Sequence, residues 1–65
     1  MQENELIMRV ANLGMEIAEL LLTAQMIADR INRGPGGREM ALCITKLEEA
    51  QHRLDDTLKV FHAKQ

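Results

Sequence analysis

Apolar residues recur through most of the chain in alternating steps of three and four. In the first half Leu6, Val10, Leu13, Ile17, Leu20, Ala24, Ile27 and Ile31 follow that spacing. In the second half Met40, Cys43, Leu47, Ala50, Leu54, Leu58 and Phe61 nearly repeat it. The steps match the 3.6-residue turn of an α-helix and gather each series on one face. Strong helix formers dominate both halves. The breakers form one block, Gly34-Pro35-Gly36-Gly37, and the only other glycine is Gly14. The pattern predicts a single unit over 1–65: a helix over about 4–33, a turn at 34–37 and a helix over about 38–64. At 1.5 Å per residue each arm runs roughly 40 Å. Two matched helices joined by a short Gly/Pro turn make an all-α fold, an antiparallel two-helix hairpin.

The first arm carries more apolar residues than one seam needs. Met8, Met15 and Leu22 recur every seven residues away from the main series, and Leu21 and Met26 widen it. A helix apolar over much of its circumference needs more than one packing partner, and a hairpin supplies one. Size leads to the same expectation. With 65 residues the chain is in the range where a core alone gives marginal stability. The lone Cys43 excludes an internal disulfide, and two histidines with one cysteine are poor equipment for a structural zinc site. Assembly into a helical homo-oligomer is the staple that remains. Gly14 costs about 1 kcal/mol against alanine inside a helix. Close approach of another helix backbone would account for it; so would simple tolerance.

Charge narrows the partners. A net charge of −2 gives no bulk attraction for DNA or RNA polymers, so any bound anion must be held by a local cluster. No 18-residue apolar run is present, which predicts no membrane partner. The start, Met1-Gln2-Glu3-Asn4-Glu5, is acidic where a signal peptide is basic, and the free cysteine suits a reducing cytosol.

The basic turn is the main chemical candidate. Arg30, Arg33 and Arg38 surround the glycine block, with Asp29 and Glu39 the nearest acids. Glycines ahead of a helix leave N–H groups free for an anion, and arginine adds a planar fork for phosphate. The same residues also describe an ordinary helix end with dipole-favoured arginines and a glycine cap. Thr45 follows Arg38 by seven residues, hence nearly the same face, where a hydroxyl and a guanidinium can share a polar ligand. Alternatively, Thr45 bonds back to a helix carbonyl. Glu49-x-x-His52, with Glu16 and Glu19, has the residue types of a di-metal bundle. The acids around it read instead as a solvated stripe with Glu49–Arg53 and Asp55–Lys59 pairs, so no metal site and no cofactor is expected. Cys43 reads as a small apolar residue with no activating neighbour. No nucleophile–base pair or Walker glycine pattern occurs. The chain is expected not to be an enzyme.

The stretch Gly37-Arg38-Glu39-Met40-Ala41-Leu42-Cys43-Ile44-Thr45-Lys46-Leu47-Glu48-Glu49-Ala50 resembles a signature of short phage proteins, G-R-E-x-x-L-x-x-T-K-L-E-E-A. These are the anti-CBASS and anti-Thoeris cyclic-nucleotide sponges. Leu13-Gly14-Met15-Glu16-Ile17 is similar to their first-helix L-G-x-E-x. The likeness covers about two-thirds of the chain and is more specific in the second arm.

The resemblance implies a non-catalytic protein that sequesters cyclic di- or trinucleotides and so blocks bacterial anti-phage signalling, in the cytoplasm of the infected host. It implies homo-oligomers, typically hexamers of interlocked hairpins, with pockets between subunits. Arg38 and Thr45 fall within the matched motif and are the expected ligand contacts; Glu39, also within it, would orient Arg38 or the turn. Arg30 and Arg33 are the next candidates. Where many relatives continue the second helix with Met-Trp-Ala-x-x-Ala-Ile, this chain has the more polar Gln51-His52-Arg53-Leu54-Asp55-Asp56. It has no Tyr or Trp and no lysine before Lys46, so base stacking falls to aliphatic side chains, Met or arginine. That favours a phosphate-centred trinucleotide pocket over a dinucleotide pocket. The rival expectation is a structural or regulatory hairpin that oligomerises, or binds a partner helix, without a small ligand.

Overall fold

A computed structural model describes residues 2–31 and 34–63. Two helices, α1 (Glu3–Arg30) and α2 (Gly37–Ala63), pack against each other, and the described residues contain no strand. The expected hairpin is present. The last positions of the expected first helix, 32 and 33, and the end of the second at 64 lie outside the described residues.

Each helix end follows from local sequence. Gln2 sits in extended backbone ahead of α1 and its carbonyl accepts the first helical bond, from the Leu6 N–H at 3.0 Å. Glu3 and Glu5 place negative charge in the first turn and Arg30 places positive charge in the last, both favoured by the helix dipole. Ile31 leaves helical geometry while its N–H still reaches the Ile27 carbonyl at 3.1 Å. The turn that follows has the features of type II: Pro35 second, Gly36 third at φ 91°, and the Gly37 N–H donating to the Gly34 carbonyl at 3.2 Å. A positive φ at the third position is why glycine is needed there. The Gly36 carbonyl then accepts from the Met40 N–H at 2.9 Å and opens α2 one residue before the expected start.

The contact between the helices is narrow. Among the described residues only Ile17, Leu21 and Ala24 are buried, all on α1; α2 contributes the half-buried Met40, Ile44, Leu47, Leu54, Leu58 and Phe61. The seam differs from the expected one. Val10, Ile17, Ala24 and Ile31 face α2 as the spacing predicts, but their companions are Gly14, Leu21 and Ala28. Leu13, Leu20 and Ile27, expected in the seam, are 44–56% exposed. Both series flank the shared line, so spacing alone allows either. The Gly14–Leu21–Ala28 series is the smaller; within it Leu21 is buried, while nothing lies within 4 Å of a Cβ placed at Gly14. In α2 the same choice places Ile44 inward and leaves Cys43 exposed, against the expectation that Cys43 belongs to the seam.

A lone hairpin leaves much surface open. Its extents are 48 × 14 × 14 Å and its radius of gyration is 15.0 Å, against about 11 Å for a globule of this length. The accessible area is 5359 Å², about 1,100 Å² more than a compact monomer of this mass exposes. No helix among the described residues is long and apolar enough to cross a membrane.

Candidate functional site

Arg38 begins the first full turn of α2, one residue after the turn glycines, and its exposed side chain stands beside Glu39 in sequence. Thr45 is exposed two turns further on. At 100° per residue both lie about 150–180° round α2 from the line that meets α1. The helix thus brings them to one face, as the seven-residue spacing predicts, and that face points away from the hairpin's own contact. The Thr45 hydroxyl donates to the Ala41 carbonyl at 3.1 Å, the alternative weighed for it from sequence. Thr23 and Thr57 do the same to Glu19 and Arg53, so this is the resting state of a helical threonine here. To donate to a ligand, Thr45 must exchange that bond, which limits what it can add.

Arg30 is exposed in the last turn of α1, where it borders a shallow hollow with Met26 and Ile27. It lies about 150° round α1 from the buried line. Arg30 and Arg38 therefore point from opposite sides of the hairpin, and one chain does not bring them together. Arg33 lies outside the described residues. Glu39 is exposed and adds negative charge to the α2 start, where the dipole favours it. The N–H groups of Arg38 and Glu39 belong to the first turn and have no carbonyl within the helix to bond. The basic turn thus offers donors and charge on an open surface, not an enclosed pocket.

The other candidates disperse. Glu49 pairs with Lys46 at 3.5 Å rather than with Arg53, and both Glu49 and His52 are exposed. No group of three or more His, Cys, Asp or Glu side chains that could hold a metal ion occurs among the described residues.

Two apolar hollows flank the helix contact. One is bordered by Leu20, Thr23, Ala24, Ile27, Met40, Cys43 and Leu47, and so brings together Leu20, Ile27 and Cys43, which the seam leaves out. The second, about 320 Å³, has Val10, Ala11, Gly14, Met15 and Ala18 on its α1 side and Leu54 and Leu58 among its α2 residues. A Cβ added at Gly14 would meet no atom within 4 Å. Within the hairpin, then, α2 does not supply the close approach of a helix backbone that would account for this glycine. The sequence reading noted Met8, Met15 and Leu22 but missed Ala11 and Ala18. Their signal was present: they are seven residues apart and interleave with the methionine series in steps of three and four. Comparison with protein-family models, curated proteins and solved structures gives no match.

Proposed function

We propose that this chain is a non-catalytic sponge that binds and sequesters cyclic di- or trinucleotide signals in the cytoplasm of an infected bacterium. The observation that carries the reading is the Gly37–Ala50 motif, with Arg38 and Thr45 exposed on one face of α2. A phosphate placed there accepts a forked hydrogen bond from the Arg38 guanidinium and sits near the positive end of α2. Because Arg30 and Arg38 of one chain diverge, an enclosing pocket needs residues from a second chain. This is why the reading includes a homo-oligomer with interface pockets, a hexamer by the family likeness. In this reading the ligand is held and returned unchanged, because the sequence carries no nucleophile–base pair of a hydrolase.

The test is to incubate the protein with a panel of cyclic di- and trinucleotides, remove free ligand by filtration, and release the remainder by heat. Retention of at least one compound and its recovery intact are expected. Retention of none, or recovery of linear products in proportion to protein, overturns the proposal. The rival reading, a structural hairpin that self-associates or takes up a partner helix, is favoured by the apolar exterior of α1, which calls for a partner but not for a nucleotide. It expects no thermal shift with any member of the panel.

A further inference from the structure

The Thr45 hydroxyl has its proton committed to the Ala41 carbonyl at 3.1 Å. A threonine hydroxyl holds one proton and two lone pairs, so what it offers outward is an acceptor. No other side chain hydrogen-bonds to it among the described residues. Its neighbour Leu42 is 55% exposed and, with Val60, is one of two large apolar side chains left open on α2 among the described residues. Leu42 stands four residues after Arg38 and three before Thr45, so both adjoin it on the helix surface. The three lie within about 60° of one another round α2. A helical leucine leans towards the N-terminus, which sets the Leu42 isobutyl group between the guanidinium and the hydroxyl. Beyond Thr45 the same face carries the exposed acids Glu49 and Asp56, and Lys46 is engaged with Glu49 at 3.5 Å. Arg38, by contrast, stands at the positive end of the helix dipole.

Donor, apolar pad and acceptor thus follow one another along α2 over about 10 Å, seven residues at 1.5 Å each. A nucleotide has the complementary order: phosphate oxygens that accept, a flat apolar base face, and at the far edge of adenine or cytosine an amino group that donates. We propose that Thr45 reads the base. With the phosphate on Arg38 and the base face on Leu42, the Thr45 hydroxyl accepts from an exocyclic amino group, so the site prefers adenine or cytosine to guanine or uracil. The inference rests on the nucleotide-binding reading and adds to it the class of base. Guanine and uracil present a carbonyl at that edge. To meet a carbonyl, Thr45 must turn its proton away from Ala41, and the carbonyl oxygen must come close to the Glu49 carboxylate. A phosphate at Thr45 meets the same two obstacles, which fixes the direction in which the nucleotide lies. Thr23, Ile27 and Arg30 repeat the order on α1, and Thr23 makes the same backbone bond. There, however, the arginine stands at the negative end of the dipole, which opposes a phosphate.

The test compares, by calorimetry, cyclic di- and triadenylate with their purine-riboside analogues, which lack the amino groups and gain no other donor. The parent should bind the adenylate more tightly, by roughly three- to tenfold for each amino group engaged, as a neutral hydrogen bond contributes. Thr45→Val should erase that ratio, and Thr45→Ser should keep it. Thr23→Val removes an identical backbone bond from α1 and should leave the ratio alone. Leu42→Ala should weaken both ligands alike, by roughly three- to tenfold, with the mass of the protein unchanged in light scattering. A lower mass would put Leu42 in a contact between subunits and overturn its part in the site. A ratio that survives Thr45→Val, or a parent that prefers cyclic guanylates or uridylates, overturns the assignment and leaves the sponge reading in place. Failure to bind any cyclic nucleotide removes both.

Discussion

α1 and α2 are nearly equal in length, 28 and 27 residues, yet they carry very different surfaces. Among the described residues all three buried ones are on α1, and so are seven of the nine large apolar side chains left exposed, Leu42 and Val60 being the two on α2. α2 is an ordinary amphipathic helix, with one half-buried line facing α1 and a polar exterior bearing Arg38, Thr45, Lys46, Glu49 and His52. α1 is apolar on the side it shares with α2 and again on the side it does not. A helix covered by one neighbour needs one apolar stripe. The second stripe on α1 has no neighbour within the hairpin, while the polar face of α2 carries exposed donors. In the proposed reading, assembly and recognition divide between the two helices.

If that division is right, the largest effects should come from charge placed on the outer stripe of α1. The double variant Met15→Glu and Leu22→Glu puts two carboxylates where the proposed contact is apolar, each opposed by several kcal/mol. Light scattering should then find a 7.4 kDa species from a parent that is larger. Matching charges on α2, Leu42→Glu and Val60→Glu, should leave the mass of the parent unchanged. Equal disruption by both pairs would erase the distinction between the helices.

Next in size is the inner stripe. Leu21→Ala removes one of the three buried side chains and should cost about 2–5 kcal/mol, seen as a lowered unfolding midpoint. Leu42→Ala, on the exposed side of α2, should change stability by less than about 0.5 kcal/mol.

Arg38→Ala sharpens the comparison from the other helix. Loss of a charge-assisted hydrogen bond should weaken cyclic-nucleotide binding by roughly 1.5–3 kcal/mol, or ten- to a hundred-fold, with the oligomer intact. Arg38→Lys should recover part of it, because a point charge lacks the fork. Thr45→Val should cost less, since its hydroxyl already has the Ala41 carbonyl as a partner. Calorimetry of each variant beside light scattering is the check; tight binding by Arg38→Ala would move the phosphate site elsewhere. A modest effect is expected at the turn. Gly36→Ala forces φ 91° on a residue with a Cβ and should destabilise the hairpin by about 1–2 kcal/mol in thermal unfolding.

The hairpin itself was legible in the sequence because its determinants are local. Helix-period apolar residues and one Gly-Pro-Gly-Gly block fix two helices and a reversal without reference to anything distant. The seam was half legible. Spacing places Val10, Ile17, Ala24 and Ile31 where the structure has them, but it favours Leu13, Leu20 and Ile27 where the structure has Gly14, Leu21 and Ala28. Two heptad lines flank the shared one, and reading for bulk selects the larger. What decides is how closely α2 can lie, a tertiary property. Cys43 and Ile44 exchanged places for the same reason. For the candidate site, the common face of Arg38 and Thr45 followed from seven-residue spacing. The divergence of Arg30 from Arg38 did not, because it depends on the register of two helices across a turn. The hollow at Ala11, Gly14, Met15 and Ala18 escaped notice because small residues carry little weight in an apolar pattern, although they shape the surface most.

Native mass spectrometry of the protein mixed with a cyclic trinucleotide joins both halves of the reading in one spectrum. A homo-oligomer of 7.4 kDa chains carrying unmodified nucleotide is expected, with ligand lost in Arg38→Ala and subunits lost in Met15→Glu. A folded monomer, or an oligomer that takes up no member of a panel of cyclic di- and trinucleotides, would contradict it.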